Sequence, residues 1–467
     1  MIPCSALSYC GIEETYLVRG FAKSPAHSVP LEFKSGEGTR TSPSASPRLR
    51  LHVWTFLAVC LLYIAQLWTP LRLNGDAVVL LSVASSAADG HGFLDHGKPT
   101  HYPPGYPVMV VGLERVGAAR PWGLVGLNAL FLCIGFASTA YVARHYFHLS
   151  SDWAGIALLF AALNFALIKH FTLPLTDIPF FGISMFAVAL VVRGERERGP
   201  KYYVFWAAAL STSAVGVLVR PVSVALFPCL LWSLGARLSV GEIMRLNKRL
   251  IVIGLGVLSG IVFVVAVLLL HTRYVQEGLS VLAHEGLARG VRNTLLFRVH
   301  EIGELCLNAP ASRLGSLSPL VWIFGATAIA GLARYLRYCR LGSVEVYLAA
   351  YTLMMFVWPY GDTRFWTPVL PLTFAELFAL ARPWEFTGWK RLTIVLYAAV
   401  YVLMGFAALG YSSWITLSGR EFPHRYGDGY LRSTYELLYS DPGARRSIAH
   451  DERALQVLDR YSRKSRE

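Results

Sequence analysis

The feature that most constrains this chain is a succession of long apolar runs separated by short polar ones. The runs fall at about 52–72, 122–143, 153–170, 178–193, 202–219, 221–236, 249–271, 317–336, 343–358, 364–381 and 391–417. Each lies near the roughly 20 residues that a helix needs to cross the hydrocarbon core of a bilayer. Inside that core every backbone N–H and C=O must find a partner within the segment, which helices do. Composition agrees. The chain is 54% hydrophobic and 15% charged, against about 25% charged in soluble domains. The expected fold is an all-α, polytopic integral membrane bundle of eleven spans.

The formal charge of +14 does not point to nucleic acid. The basic residues gather in short loops, "ARHYFHLSSD", "RGERERGPK", "RLSVGEIMRLNKR", "RYLRYCR" and "RPWEFTGWKR", as the positive-inside rule requires of cytoplasmic loops. "TLPLTD" and "PYGDTRF", nearly free of Lys and Arg, then face outward. One further apolar stretch, Gly105 to Gly117, would put "RGERERGPK" outside if it crossed. It is therefore expected to lie in the interface, where Glu114 and Arg115 are tolerated. Thr272–Ser316 and the tail from Ser418 are expected outside, the former with helical periodicity.

Residues 1–50 contain "FKSGEGTRTSPSASPRLR" and no apolar signal region. They are expected to form a disordered cytoplasmic tail, ahead of a membrane domain at 51–417 and an outer tail at 418–467. The seven cysteines form no CxxC pair and read as small hydrophobes.

Candidate chemistry gathers at the outer ends of the spans. The first outer loop supplies Asp76, His91, Asp95, Lys98, His101 and Tyr102, followed by a Tyr-Pro-Pro-Gly-Tyr-Pro run. The next supplies Lys169, His170, Thr176 and Asp177. "VLVRPVS" supplies Arg220, and "WPYGDTRFWTPVLP" supplies Tyr360, Asp362 and Arg364. Charged groups near a membrane are costly and by default mark a functional site. A carboxylate takes a proton from a hydroxyl, and arginine forks onto phosphate oxygens. Plainer readings stand beside these. Asp76 and Asp177 are each placed to cap a helix, and Arg364 to snorkel to the interface. His91, Asp95 and His101 could hold a divalent metal, although their spacing matches no sharp ligand pattern. No cofactor is expected.

In order and sidedness, "NGDAVVLLSVASSAADGHGF", "HYPPGYPVMVVGLERVG", "ALIKHFTLPLTDIPFFGISMFAVAL", "VLVRPVSVALFPCLL" and "GDTRFWTPVLPL" resemble the polytopic C-fold (GT-C) glycosyltransferases that use polyprenyl-phosphate sugars. The likeness is to the bacterial branch near the dolichyl-phosphate-mannose protein mannosyltransferases and the lipid A aminoarabinose transferases, over roughly residues 50–385. The resemblance implies Asp76 and Asp177 as catalytic acids. It implies Arg220 and Arg364 as holders of the lipid phosphate. Lys169, His101, Tyr102 and Tyr360, gathered with them at the outer ends of the spans, are further candidate substrate contacts. Asp76 is followed by Ala77, not by the Glu of the protein mannosyltransferases. The implied partners are a polyprenyl-phosphate-linked sugar donor, membrane lipids and a lipid, glycan or protein acceptor, in a bacterial inner membrane with the site facing outward. A transporter or flippase, and a non-catalytic scaffold, remain alternatives. Transporters place ionisable groups deep in broken helices, whereas here they gather at span ends.

Overall fold

The computed structural model describes residues 48–68, 71–95, 97–100, 102–237, 286–338, 341–358, 360–381, 388–418, 428–440 and 453–462. The expected span at 249–271, His101 and the segment 1–47 lie outside the described residues. All described residues belong to one unit, Pro47–Glu467.

The architecture is a helical bundle of membrane type. In chain order the helices are α1 (Arg48–Ile64), α2 (Gly75–Ala88), α3 (Gly105–Arg115), α4 (Pro121–His145), α5 (Ser151–Ala162), α6 (Phe165–Phe171), α7 (Asp177–Glu195), α8 (Pro200–Val219) and α9 (Leu226–Arg237). They continue as α10 (Leu287–Leu307), α11 (Pro319–Tyr338), α12 (Ser343–Val357), α13 (Leu370–Ala381), α14 (Gly388–Ser418), α15 (Asp428–Ser440) and α16 (Arg453–Tyr461). Among the described residues α4, α7, α8 and α14 are each long and apolar enough to cross a membrane. The pair α5–α6 is apolar enough to cross together but is bent by 63°, and Ala311–Leu317 with the helix from Pro319 is a second such pair, bent by 107°, the geometry of a broken span or a re-entrant loop. Of the eleven expected spans, four fall on the long helices, two on the bent pairs and four on shorter apolar helices, Trp54–Leu67, Pro221–Arg237, Ser343–Phe356 and Leu370–Ala381.

Local sequence explains the boundaries. Pro121 and Pro200 open α4 and α8 at the first turn, where a missing N–H costs nothing. Asn164 sits at the α5–α6 break and caps α6 by accepting from Ala166 N at 3.0 Å. Its amide donates to the Tyr401 hydroxyl of α14 at 2.7 Å, so the bend is held by a buried network. The core centres on α7, which packs between α4 and α8. Gly182 of α7 lies so close to α4 that an added Cβ would stand 2.6 Å from Phe131 O. Without water between spans, such close backbone approach drives association.

The segment Gly105–Arg115 is a helix of 11 residues, about 16 Å at 1.5 Å per residue, half of what a crossing requires. Its N-terminus abuts the end of α8: a Cβ on Gly105 would stand 2.6 Å from Leu218 O. Among the described residues the one sheet is an antiparallel pair of two-residue strands, Leu94–Asp95 with Lys98–Pro99, turned by Gly97 at φ +74°.

The C-terminal helices return to the first loop. Ala454, Val457, Leu458 and Tyr461 form the buried stripe of α16. Leu71 N donates to Tyr461 O at 2.9 Å. Arg460 pairs with Glu114 at 2.8 Å, and Arg453 reaches Asp89 at 3.4 Å and His91 Nδ1 at 3.2 Å. The first loop and this tail therefore share one face of the bundle.

Candidate functional site

The start of α2 is capped by Asn74, whose Oδ1 accepts from Ala77 N at 2.9 Å. The capping role weighed for Asp76 is thus filled two residues earlier, and the Asp76 carboxylate is left for other partners. Its Oδ1 accepts from the Tyr102 hydroxyl at 3.0 Å. Its Oδ2 accepts from Arg364 Nη2 at 2.5 Å. Arg364 rides on a 3-10 turn, Thr363–Trp366, opened by Asp362, whose Oδ1 accepts from Arg364 N at 3.0 Å. Asp362 Oδ2 also lies 3.4 Å from Arg364 Nε. The guanidinium is therefore flanked by two carboxylates and does not snorkel as a lone flank residue.

A second pair stands beside the first. Asp177 is the first residue of α7, after Thr176 in the capping position, and Arg220 Nη1 donates to its Oδ1. Arg220 ends α8, its N–H still bonded to Gly216 O at 2.7 Å, where Pro221 stops the helix. The Phe365 ring joins the pairs: the Arg220 guanidinium lies 5.3 Å and the Arg364 guanidinium 5.2 Å from its centroid. Both distances are within cation–π range. Tyr351 of α12 donates to Phe365 O and fixes that ring's backbone.

The two acids differ in access. The Asp177 side chain is 3% exposed and the Asp76 side chain 35%. Asp177 is thus enclosed with its cation, while Asp76 stays accessible at the protein surface. Lys169 and His170 end α6 nearby. His170 is buried with Nδ1 2.6 Å from Ala166 O, within electrostatic reach of Lys169, Asp177 and Arg364. Tyr360 is exposed at the rim.

Other expected residues lie apart. His91 and Asp89 follow the far end of α2, about 20 Å along that helix from Asp76 at 1.5 Å per residue, and are held by Arg453. Lys98 is exposed on the strand pair. Asp95 is half-buried, and Tyr435 of α15 lies within electrostatic reach of both Asp95 and Asp76. Among the described residues no group of three or more His, Cys, Asp or Glu is placed to hold a metal ion.

Sequence reading passed over Phe365, Asn74, Tyr435 and a buried pair on α10. Arg298 Nη1 donates to Glu301 Oε2 at 2.5 Å, and Trp366 Nε1 donates to the same oxygen at 2.7 Å. Arg298 Nη2 donates to Trp358 O at 3.1 Å and also to Tyr360 O. Burial pushes the Glu301 carboxyl up to about 7 despite the adjacent guanidinium. The available signal was Arg298 and Glu301 at i and i+3, one face of a periodic helix.

No family model matches the sequence, and no curated protein matches it. Two solved structures do resemble the fold. The crystal structure of ArnT from Cupriavidus metallidurans bound to undecaprenyl phosphate has a TM-score of 0.47 at 14% identity, covering 90% of this chain and 76% of that one. The same protein in the apo state gives a TM-score of 0.46 at 15% identity, with 88% and 75% covered.

Proposed function

We propose that this protein is an integral membrane glycosyltransferase that moves a sugar from a polyprenyl-phosphate donor to an acceptor hydroxyl. The observation that carries the reading is the contact between an accessible carboxylate, Asp76, and Arg364, with Arg220 against the same Phe365 ring. A carboxylate beside two cations near the ends of apolar helices supports a base and phosphate-binding groups facing a lipid-borne donor. A polyprenyl-phosphate sugar is a phosphodiester with one negative charge. On transfer, the acceptor oxygen attacks the anomeric carbon, the bond from that carbon to phosphate oxygen breaks, and the lipid leaves as a monoester bearing a second charge. Asp76 takes the hydroxyl proton. Arg364 and Arg220 stabilise the charge that grows on the departing phosphate, so they act more strongly in the transition state than in the ground state. Asp177 holds Arg220 in place. Lys169, His101, Tyr102 and Tyr360 supply further contacts to donor and acceptor.

The charge pattern of the short loops supports a site on the outer face of a bacterial inner membrane, where nucleotide sugars are absent and a lipid carrier must deliver the sugar. The acceptor is a lipid, a glycan or a protein. The test uses washed membranes containing the protein and a radiolabelled polyprenyl-phosphate sugar. Label covalently transferred to an acceptor is the expected result. Label that crosses the bilayer on its original lipid indicates a flippase, and label that does neither indicates a scaffold; either result defeats the proposal.

A further inference from the structure

The two arginines of the site are delivered differently. Arg220 directly follows a long helix, whereas Arg364 and Phe365 lie on a single 3-10 turn between α12 and α13. That turn is held from within by Asp362 and from α12 by Tyr351, which bonds Phe365 O. A further set of contacts comes from α10. Arg298, fully buried, donates to the carbonyls of Trp358 and Tyr360, while Glu301 accepts from the indole of Trp366. These contacts bracket the segment on both sides of Arg364. Between them Gly361 approaches α10 so closely that a Cβ would stand 3.0 Å from the Phe297 ring and 3.3 Å from Glu301 Oε1.

A buried ion pair is weak as a stabilising device. Replacing one by apolar side chains is often neutral or favourable, because desolvating both charges offsets their attraction. Stability alone therefore gives no reason for Arg298 and Glu301. Their hydrogen bonds do: three donor–acceptor contacts reach residues on both sides of Arg364, and directional bonds of this kind specify a backbone conformation where apolar packing alone is non-directional. We propose that Arg298 and Glu301 are positioning residues that fix the 358–366 segment so that Arg364 and Phe365 meet the anionic headgroup of the lipid substrate. The inference rests on the assignment of Arg364 to the phosphate made above.

The test uses purified full-length protein in lipid nanodiscs with a polyprenyl monophosphate as probe. Three quantities are measured: hydrogen exchange of 358–366, affinity for the probe, and the Michaelis constants for donor and acceptor. Glu301→Ala should speed exchange at the Arg364 and Phe365 amides, weaken probe binding by about tenfold, the scale of one lost charge-assisted contact, and raise the donor Michaelis constant while leaving that of the acceptor unchanged. Glu301→Gln keeps an oxygen for Trp366 and Arg298 and should restore most of the affinity, which also covers the case in which the alanine variant fails to fold. Arg298→Lys keeps the charge but cannot fork onto two carbonyls and should fall between. Adding Glu301→Ala to Arg364→Ala should cause no further loss of affinity. The proposal is overturned if Glu301→Ala leaves exchange or affinity unchanged, or if its effect adds fully to that of Arg364→Ala. If Arg364→Ala alone leaves probe binding intact, the phosphate assignment fails first, and the positioning role falls with it.

Discussion

Arg364 and Arg220 hold similar partners in different surroundings, and their substitutions should differ accordingly. In the proposed role, either change to Ala would remove a charge-assisted phosphate contact, about 1.5–3 kcal/mol, so the apparent donor Michaelis constant should rise roughly ten- to a hundredfold. Lysine should rescue only in part. Arg220→Ala also strands Asp177, whose side chain is 3% exposed. Breaking a buried pair costs about 3–5 kcal/mol, so this variant should lose thermal stability as well. Arg364→Ala exposes Asp76 to water and should keep most of its stability. Donor kinetics unchanged in both variants would reject the assignment. Glu301 adds a pH dependence of a different sign from most carboxylates. Its folded value, about 7, lies above the ordinary 4.5. Between those values the fold binds more protons than the unfolded chain, so this group's contribution to stability is present at low pH and declines as pH rises toward 7, by at most about 1.4 kcal/mol per unit. Thermal midpoints across that window should fall less steeply for Glu301→Gln than for the parent; parallel curves would contradict the burial argument.

At the scale of elements, the close approach of α3 to α8 is the most vulnerable joint. Gly105→Ala would drive a Cβ against Leu218 O, two residues before Arg220. Overpacking of this kind costs typically about 1–3 kcal/mol. The variant should lose stability and shift Arg220, weakening donor use more than acceptor use. Full activity at unchanged thermal midpoint would show that the joint yields without consequence. Much of this level was legible in the sequence. Apolar run lengths marked ten stretches that are apolar helices among the described residues, four of them long enough to cross a membrane and two more as bent pairs, and charge sidedness kept Gly105–Gly117 from being read as a crossing. The strand pair at Leu94–Pro99 was not legible, because two-residue strands carry no periodicity. Nor was the cap of α2: Asn74 and Asp76 are both good capping residues, and only the observed bond from Ala77 N separates them. The docking of α16 on the first loop was missed because its stripe is short and its partner lies some 350 residues earlier.

For the whole molecule, the sequence placed the candidate acids and bases on one face but could not pair them. Asp76 and Arg364 are 288 positions apart, and Asp177 and Arg220 are 43 apart. Pairings of that kind follow from packing around α7, not from any local pattern. Sidedness is open to a direct test at positions that the fold leaves exposed. In intact cells an impermeant thiol reagent should modify Tyr360→Cys and spare Arg198→Cys, both exposed residues; equal modification would sink the orientation drawn from the loop charges. The central claim is that Asp76, no longer needed as a cap, serves as the base beside the phosphate-binding arginines. Single-turnover transfer by Asp76→Asn with donor already bound tests it most directly. The change preserves size, leaves the Asn74 cap intact and removes the proton acceptor. The account predicts a well-folded protein that binds donor and has lost ~10²–10⁴-fold in transfer rate, the scale of general-base loss. A folded variant that retains more than about a tenth of the parent rate would contradict it.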